Sequence, residues 1–259
     1  MYSILEHYLS TNHILMIGMI VTFILTFFLL EHPFSFLPSD QGRAFTVNGS
    51  LSKGKLRGVG FIFVLCFLIS SVLFLPIDVE YVIYAILLFA MMISGYLDDA
   101  SKTPWNEYKK GLIDLVISIV AVLTYMNFNS TTICFGADEI VIPKALFLIL
   151  GVILIWVSVN VTNCTDGVDG LCASLCSVTL LAFGVLFASV LQKYAMANFL
   201  FLSVLFAYLY FNSSPSSMLM GDAGSRALGF YIAVIALKST HPFIYILLAA
   251  GMIVDGGIG

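Results

Sequence analysis

Apolar runs of about 17 to 21 residues recur along the whole chain, and no other feature limits its fold so severely. Each matches the ~20 helical residues that cross a ~30 Å hydrocarbon core. In lipid every backbone amide must find its partner inside its own segment, so the fold class is an all-α polytopic membrane protein. The alternating ~10-residue strands of a membrane β-barrel are absent. Composition agrees, with 60% hydrophobic and 10% charged residues and a mean hydropathy of +1.04, against roughly 25% charged in a soluble domain.

Nine spans are read at 13–30, 58–77, 81–97, 111–128, 145–161, 171–191, 195–211, 226–237 with its polar approach from Met218, and 242–259, the eighth being too short to cross unaided. The last ends inside an apolar run with no polar tail, so 1–259 reads as a single integral membrane domain that is incomplete at its C-terminus. The opening MYSILEHYLSTN has no Lys or Arg, and so lacks the basic start of a cleavable signal peptide.

The loops after spans one, three, five and seven hold Arg43, Lys53, Lys55, Arg57, Lys102, Lys109, Lys110 and Arg226, eight of the eleven basic residues, against Lys144, Lys193 and Lys238 on the other side. The positive-inside rule makes the first set cytoplasmic and places the N-terminus outside. The same assignment brings Asp98 and Asp99 (GYLDD), Asn163, Asp166 and Asp169 (NVTNCTDGVDG) and Asp222 (MLMGDAGS) to the cytoplasmic face.

Carboxylates beside a membrane are costly, and several in one cleft repel one another unless cations neutralise them. Oxygen ligands without Cys or His favour a hard cation, and Mg²⁺ is the usual choice beside phosphates. The sequence therefore predicts a Mg²⁺–phosphate site at the cytoplasmic surface. Glycines beside the acids in TDGVDG and GDAGS permit tight turns and close approach of a ligand. The five cysteines are odd in number with no C-x-x-C pair, which supports neither a disulfide framework nor a zinc site, and the four histidines are scattered. Cys172 and Cys176, one turn apart, read as packing residues.

SGYLDDASK, NVTNCTDGVDGLCAS and MLMGDAGSRALG resemble, in order and spacing, the three signature segments of the polyprenyl-phosphate N-acetylhexosamine-1-phosphate transferase family. The branch most resembled is that of the phospho-N-acetylmuramoyl-pentapeptide transferases. The resemblance implies ten spans in the complete fold, an N-terminus outside and a cytoplasmic active site in the bacterial inner membrane. It implies that Asp98, Asp99, Asp166 and Lys109 are catalytic, with Asp98 as general base or covalent nucleophile and Lys109 facing the phosphates. Lys53, Lys102, Asn163 and Asp169 would bind substrate, Lys53 in the uridine pocket, and Asp222 would hold Mg²⁺. The implied reaction moves phospho-MurNAc-pentapeptide from UDP-MurNAc-pentapeptide to undecaprenyl phosphate, giving lipid I and UMP. Membrane lipid and a second copy of the chain are further expected partners; nucleic acid is not.

Two departures stand out. GKLRGVG at 54–60 replaces the branch's G-T-P-T-M-G-G run, and the donor-distinguishing loop that follows the ninth span lies past Gly259. A sibling that transfers GlcNAc-1-phosphate is the alternative, and a secondary transporter a remote one, since transporters set ionisable residues near the midplane.

Other charges read as structural. Lys110 and Asp114, at i and i+4, are expected to pair within one helix. Asp78, Glu80, Asp138 and Glu139 are expected in solvated outer loops, and Asp255 is either a buried partner or the start of an inner loop. Segment 31–57 is a solvated loop that attracts anionic lipid or binds nucleotide.

Overall fold

The computed structural model describes residues 1–32, 34–40, 42, 52–101, 103, 105–136 and 138–258. The elements are α1 (Tyr2–Leu5), α2 (Thr11–Glu31), α3 (Gly60–Phe74), α4 (Val79–Asp99), α5 (Glu107–Phe128), β1 (Thr132–Phe135), β2 (Asp138–Val141), α6 (Lys144–Thr165), α7 (Leu171–Leu186), α8 (Ala188–Leu191), α9 (Lys193–Asn212), α10 (Gly221–Lys238), α11 (Ile244–Leu248) and α12 (Ala250–Ile258). Five of these, α2, α4, α5, α6 and α9, are long and apolar enough to cross a membrane, and α3 and α7 are shorter apolar helices.

Side-chain caps start three of the long helices. Ser10 accepts the His13 amide at 3.4 Å, Asp78 the Tyr81 amide at 2.9 Å and Asn106 the Tyr108 amide at 3.0 Å, each worth about 1 kcal/mol. On α2 the large side chains Met16, Ile20, Ile24 and Phe28 face outward, which in a membrane means toward lipid tails.

The centre of the bundle is α10. Every residue from Gly221 to Leu237 is buried, and α3, α4, α5, α6 and α7 all pack on it. This is the eighth expected span, read as 226–237 with a polar approach from Met218, and the structure makes Gly221–Lys238 one continuous 18-residue helix. Asp222 and Ser225 make its start look like an approach; the helix is buried in protein, so those groups meet partners instead of lipid. Three other expectations are corrected. The sixth span divides into α7 and α8 at Phe187, the ninth breaks at Ala249, and the loop between α5 and α6 carries an antiparallel hairpin pairing Thr132 with Val141 and Phe135 with Asp138.

Helices α4 and α10 run antiparallel at close range. A Cβ on Gly95 would stand 2.3 Å from the Asp222 carbonyl oxygen, so only glycine admits this approach. The C-terminal end of α4 meets the N-terminal end of α10, and at the far end Glu80 of α4 meets Lys238 of α10. Lys238 Nζ reaches Glu80 Oε1 and Oε2 at 3.1 and 3.0 Å and Asn129 Oδ1 at 2.7 Å, and Tyr84 and Asn129 donate to Glu80 Oε1. Glu80 is thus a buried ion-pair partner and not a solvated loop residue. Asp78 caps α4 and pairs with Lys193, while Asp138 and Glu139 are exposed as expected.

Removing one member of a buried pair leaves the other charge uncompensated, at a cost of about 3 kcal/mol. Glu80→Ala is therefore expected to lower the unfolding temperature of the detergent-solubilised protein well below that of Asp138→Asn, which should match the wild type in the same thermal scan.

Candidate active site

A short extended stretch assembles the site. Leu56 bridges Ser39 on one side and Met218 on the other, and the Arg57 amide donates to Pro38 O and the Leu219 amide to Leu56 O, both at 2.8 Å. Residues two apart on an extended chain face the same way, so Lys55 and Arg57 point together toward the start of α10. The stretch lies in the GKLRGVG run, and it supplies cations in place of the threonines expected there.

Arg57 links three acids. Its Nε donates to Asp99 Oδ1 at 2.8 Å, Nη2 reaches Asp222 Oδ1 at 3.4 Å and Nη1 lies 3.6 Å from Asp40 Oδ1. Burial works against the guanidinium charge, but Asp99, Asp222 and Asp40 together hold its pKa above the ordinary value. Lys110 links the rest, with Nζ 2.6 Å from Asp98 Oδ2 and 3.2 Å from Asp222 Oδ2.

Each aspartate is held differently. Asp98 accepts the Trp105 amide on Oδ1 at 2.7 Å, which leaves neither oxygen without a donor. Asp99 accepts the Ala223 amide on Oδ2 at 3.1 Å, a carboxylate placed on the positive end of a helix. Gly221 makes this possible: its φ is +66°, and a Cβ there would lie 2.3 Å from Asp99 Oδ2. Asn163, in the last turn of α6, donates to Ser225 Oγ at 2.9 Å and also interacts with the Asp222 carboxylate. Asp166 ends α6 with its amide on Asn163 O at 3.2 Å and its side chain half-buried. Asp169 accepts the Ser216 amide at 2.9 Å and hydroxyl at 2.7 Å, with Lys55 Nζ at 3.7 Å. Burial alone would raise the Asp169 carboxyl, but Ser216 and Lys55 hold it below the usual carboxylate range.

The structure thus brings Asp98, Asp99, Asp222 and Asn163 into one network, with Asp169 tied to the same extended stretch through Lys55. Two expected lysines are not in it. Lys109 is exposed and lies over the Trp105 ring, 3.2 Å from its centroid; its neighbour Lys110 takes the site position. Lys53 is exposed, and among the described residues it makes no ion pair, whereas Lys55 does. Lys102 lies outside the described residues. The expected Lys110–Asp114 pair is replaced: Lys110 serves Asp98 and Asp222, and Asp114 pairs with Arg226. Asp255 is exposed on α12, whose Gly256 packs against Val161 and Cys164 of α6, at the same end as the acids.

One signal could have separated Lys110 from Lys109. Lys110, Asp114 and Ser118 recur every four residues, which marks the protein-facing side of α5, and Lys109 lies off that line.

Among the described residues four carboxylates, Asp40, Asp98, Asp99 and Asp222, contact two cations, Arg57 and Lys110, with exposed Glu107 at the margin. An excess of acid with oxygen donors only suits a divalent ion. Among the described residues no three His, Cys, Asp or Glu side chains form a closed metal cage.

Residues 81–240 match the model of glycosyl transferase family 4. The chain is 34% identical to the phospho-N-acetylmuramoyl-pentapeptide-transferase of Treponema pallidum (strain Nichols), over 94% of this chain and 73% of that protein. It is 27% identical to the protein of the same name from Halalkalibacterium halodurans, over 94% of this chain and 81% of that one. The protein of that name from Fervidobacterium nodosum is 30% identical over 57% of this chain.

Because the folded Asp169 pKa is depressed, its contribution to stability is complete above the unfolded value of about 3.9 and fades as pH falls through the lower folded value. Asp169→Asn is expected to show a deficit in unfolding temperature that is constant from about pH 8 to 5 and closes below about pH 4. Thermal scans across that range check it.

Proposed function

Since the chain belongs to glycosyl transferase family 4, as a relative of its phospho-N-acetylmuramoyl-pentapeptide transferases, we propose that it carries phospho-MurNAc-pentapeptide from UDP to undecaprenyl phosphate. The products are UMP and lipid I, the first lipid-linked intermediate of peptidoglycan. The observation that carries this reading is the meeting of three distant acidic segments at one end of the bundle, where Asp98 and Asp222 share Lys110.

The chain is a membrane protein whose polar site lies at the helix ends, which suits lipid-phosphate chemistry better than transport through a midplane site. We assign that end to the cytoplasm. It carries Lys53, Lys55, Arg57, Lys109 and Lys110, whereas Lys193 and Lys238 at the other end are already paired with Asp78 and Glu80. Tyr2 and Thr11 line one cavity with Asp78 and Lys193, so the N-terminus belongs to the opposite, outer side. Nine crossings in one domain follow if α3, α7, α10 and the broken α11–α12 pair also span.

The reaction exchanges one phosphoanhydride for another, so positioning and charge stabilisation supply most of the catalysis. Asp222 would hold Mg²⁺, with Asn163 and Asp166 beside it; when bound, the ion polarises the donor diphosphate and offsets charge on the leaving UMP. Lys110 and Arg57, now shared among carboxylates, would turn toward the incoming phosphates. Asp98 would take the proton of the carrier phosphate. The Trp105 amide on Oδ1 fixes the Asp98 carboxylate, and Oδ2, which faces Lys110, is the oxygen that a proton would reach once Lys110 turns to the phosphates. Lys55 and Asp169, on the flank, suit the nucleotide side of the donor.

Asp222→Asn should abolish UMP release by purified protein supplied with Mg²⁺, undecaprenyl phosphate and UDP-MurNAc-pentapeptide, while leaving the unfolding temperature near wild type. Turnover with UDP-GlcNAc alone would assign the sibling activity instead. In the same assay Lys110→Met is expected to lose at least about a hundredfold in kcat, and Lys109→Met less than about threefold; the reverse order would remove Lys110 from the site.

A further inference from the structure

Below the proposed site lies a buried ion pair that the chemistry does not use. Arg226, 2% exposed, donates through Nη2 to Asp114 Oδ1, with Asp114 also 2% exposed. The Arg226 Nε and Nη1 atoms have no acceptor among the described residues. A buried pair left partly unsatisfied is poor value for stability, since well-packed apolar side chains serve as well or better; its best-attested use is to fix register.

The placement suits that use. α5 and α10 run parallel, because Lys110 meets Asp222 near their starts and Asn129, just past α5, meets Lys238 at the end of α10. Asp114 is one turn beyond Lys110, and Arg226 is one turn beyond Asp222. The two helices therefore carry successive rungs of opposite polarity, cation to acid at Lys110–Asp222 and acid to cation at Asp114–Arg226. A slip of one turn in either direction would set Lys110 against Arg226 or Asp114 against Asp222, both like-charged. Lys238 pins the far ends only, roughly 24 Å along the helices. Near the site, the second rung is the contact that opposes a slide.

We propose that Asp114 and Arg226 are positioning residues, whose reversed rung locks the register of α5 against α10 and so sets the Lys110 ammonium on the Asp222 carboxylate. This rests on the reading of Lys110 and Asp222 as site residues, so the test includes a measurement that needs no turnover. The charge-swapped double variant Asp114→Arg/Arg226→Asp keeps an ion pair but gives both rungs the same polarity, so that the new arginine competes with Lys110 for Asp222. An ion pair that serves folding alone would be restored by the swap.

The expected result is a swapped protein with near-wild-type unfolding temperature, a fall of about tenfold or more in kcat with little change in donor KM, and faster acylation of Lys110 by acetic anhydride. Labelling is read by mass spectrometry against exposed Lys109 as internal reference. The double variant Asp114→Leu/Arg226→Leu, which removes the rung without a new charge, should also expose Lys110 and decides the matter if the swap does not fold. Lys110 protection at the wild-type level in whichever of the two variants folds would overturn the proposal. Wild-type protein that shields Lys110 yet lacks transferase activity would instead count against the functional reading and leave the register test standing.

Discussion

Two cations, Arg57 and Lys110, hold four carboxylates together, and the arrangement of the whole bundle is built to deliver them there. Lys110 comes from the first turn of α5 and Arg57 from an extended stretch threaded between residue 39 and residue 218, while the acids come from α4, α10 and the segment before that stretch. Asp222 of α10 is more than a hundred residues from the other members of the cluster. At an apolar boundary the repulsion among unneutralised acids would be large, and the two cations offset it where the end of α4 meets the start of α10. Among the described residues the acids of the cluster still outnumber its cations.

That clasp also explains why a polar helix occupies the middle of so apolar a protein. An apolar α10 would present neither Asp222 to the cations nor Ser225 to Asn163. The small residues are part of the same design. Gly95 and Gly221 let the backbones of α4 and α10 approach until an Asp99 oxygen reaches an amide of the first turn of α10. At such separation the helices cannot be splayed by substrate without breaking several charge-assisted bonds at once, which suits a catalyst that works mainly by holding reactants in place.

Much of this was legible in the sequence, and the failures have physical causes. The long helices follow directly from apolar length, because lipid permits no other solution. The three acidic segments could be assigned to one end from loop charge alone, and α4, α6 and α10 do bring Asp98, Asp99, Asn163 and Asp222 together. Hydropathy failed on α10, whose surroundings are protein, and it could not divide α11 from α12, since an apolar run looks the same whether straight or broken. Lys109 and Lys110 differ by 100° around the helix, and composition alone does not say which faces inward; the line of Lys110, Asp114 and Ser118 does. Arg57 and Lys55 were hidden for another reason: their partners, Asp99, Asp222, Ser216 and Asp169, lie far away in the chain, and only the folded crossing at Leu56 aligns them. Glu80 was misjudged because its position at a helix start resembles a solvated loop, whereas Lys238 arrives from a distant helix to bury it.

The two ends of α4 and α10 make the strongest internal comparison. At one end a single acid faces a single base: Glu80 and Lys238 satisfy each other, and Asn129 and Tyr84 take up remaining hydrogen-bonding capacity. Such a network is closed, and nothing more is needed to hold its charge. At the opposite end the same two helices present Asp98, Asp99 and Asp222 to cations borrowed from elsewhere, and among the described residues acids remain in excess. Burial and helix geometry are shared by both ends, so neither explains the difference. What differs, among the described residues, is whether the charges cancel: Lys238 balances Glu80, whereas the acids around Arg57 and Lys110 outnumber them, and an imbalance of that kind in a partly buried cleft is what a functional site shows.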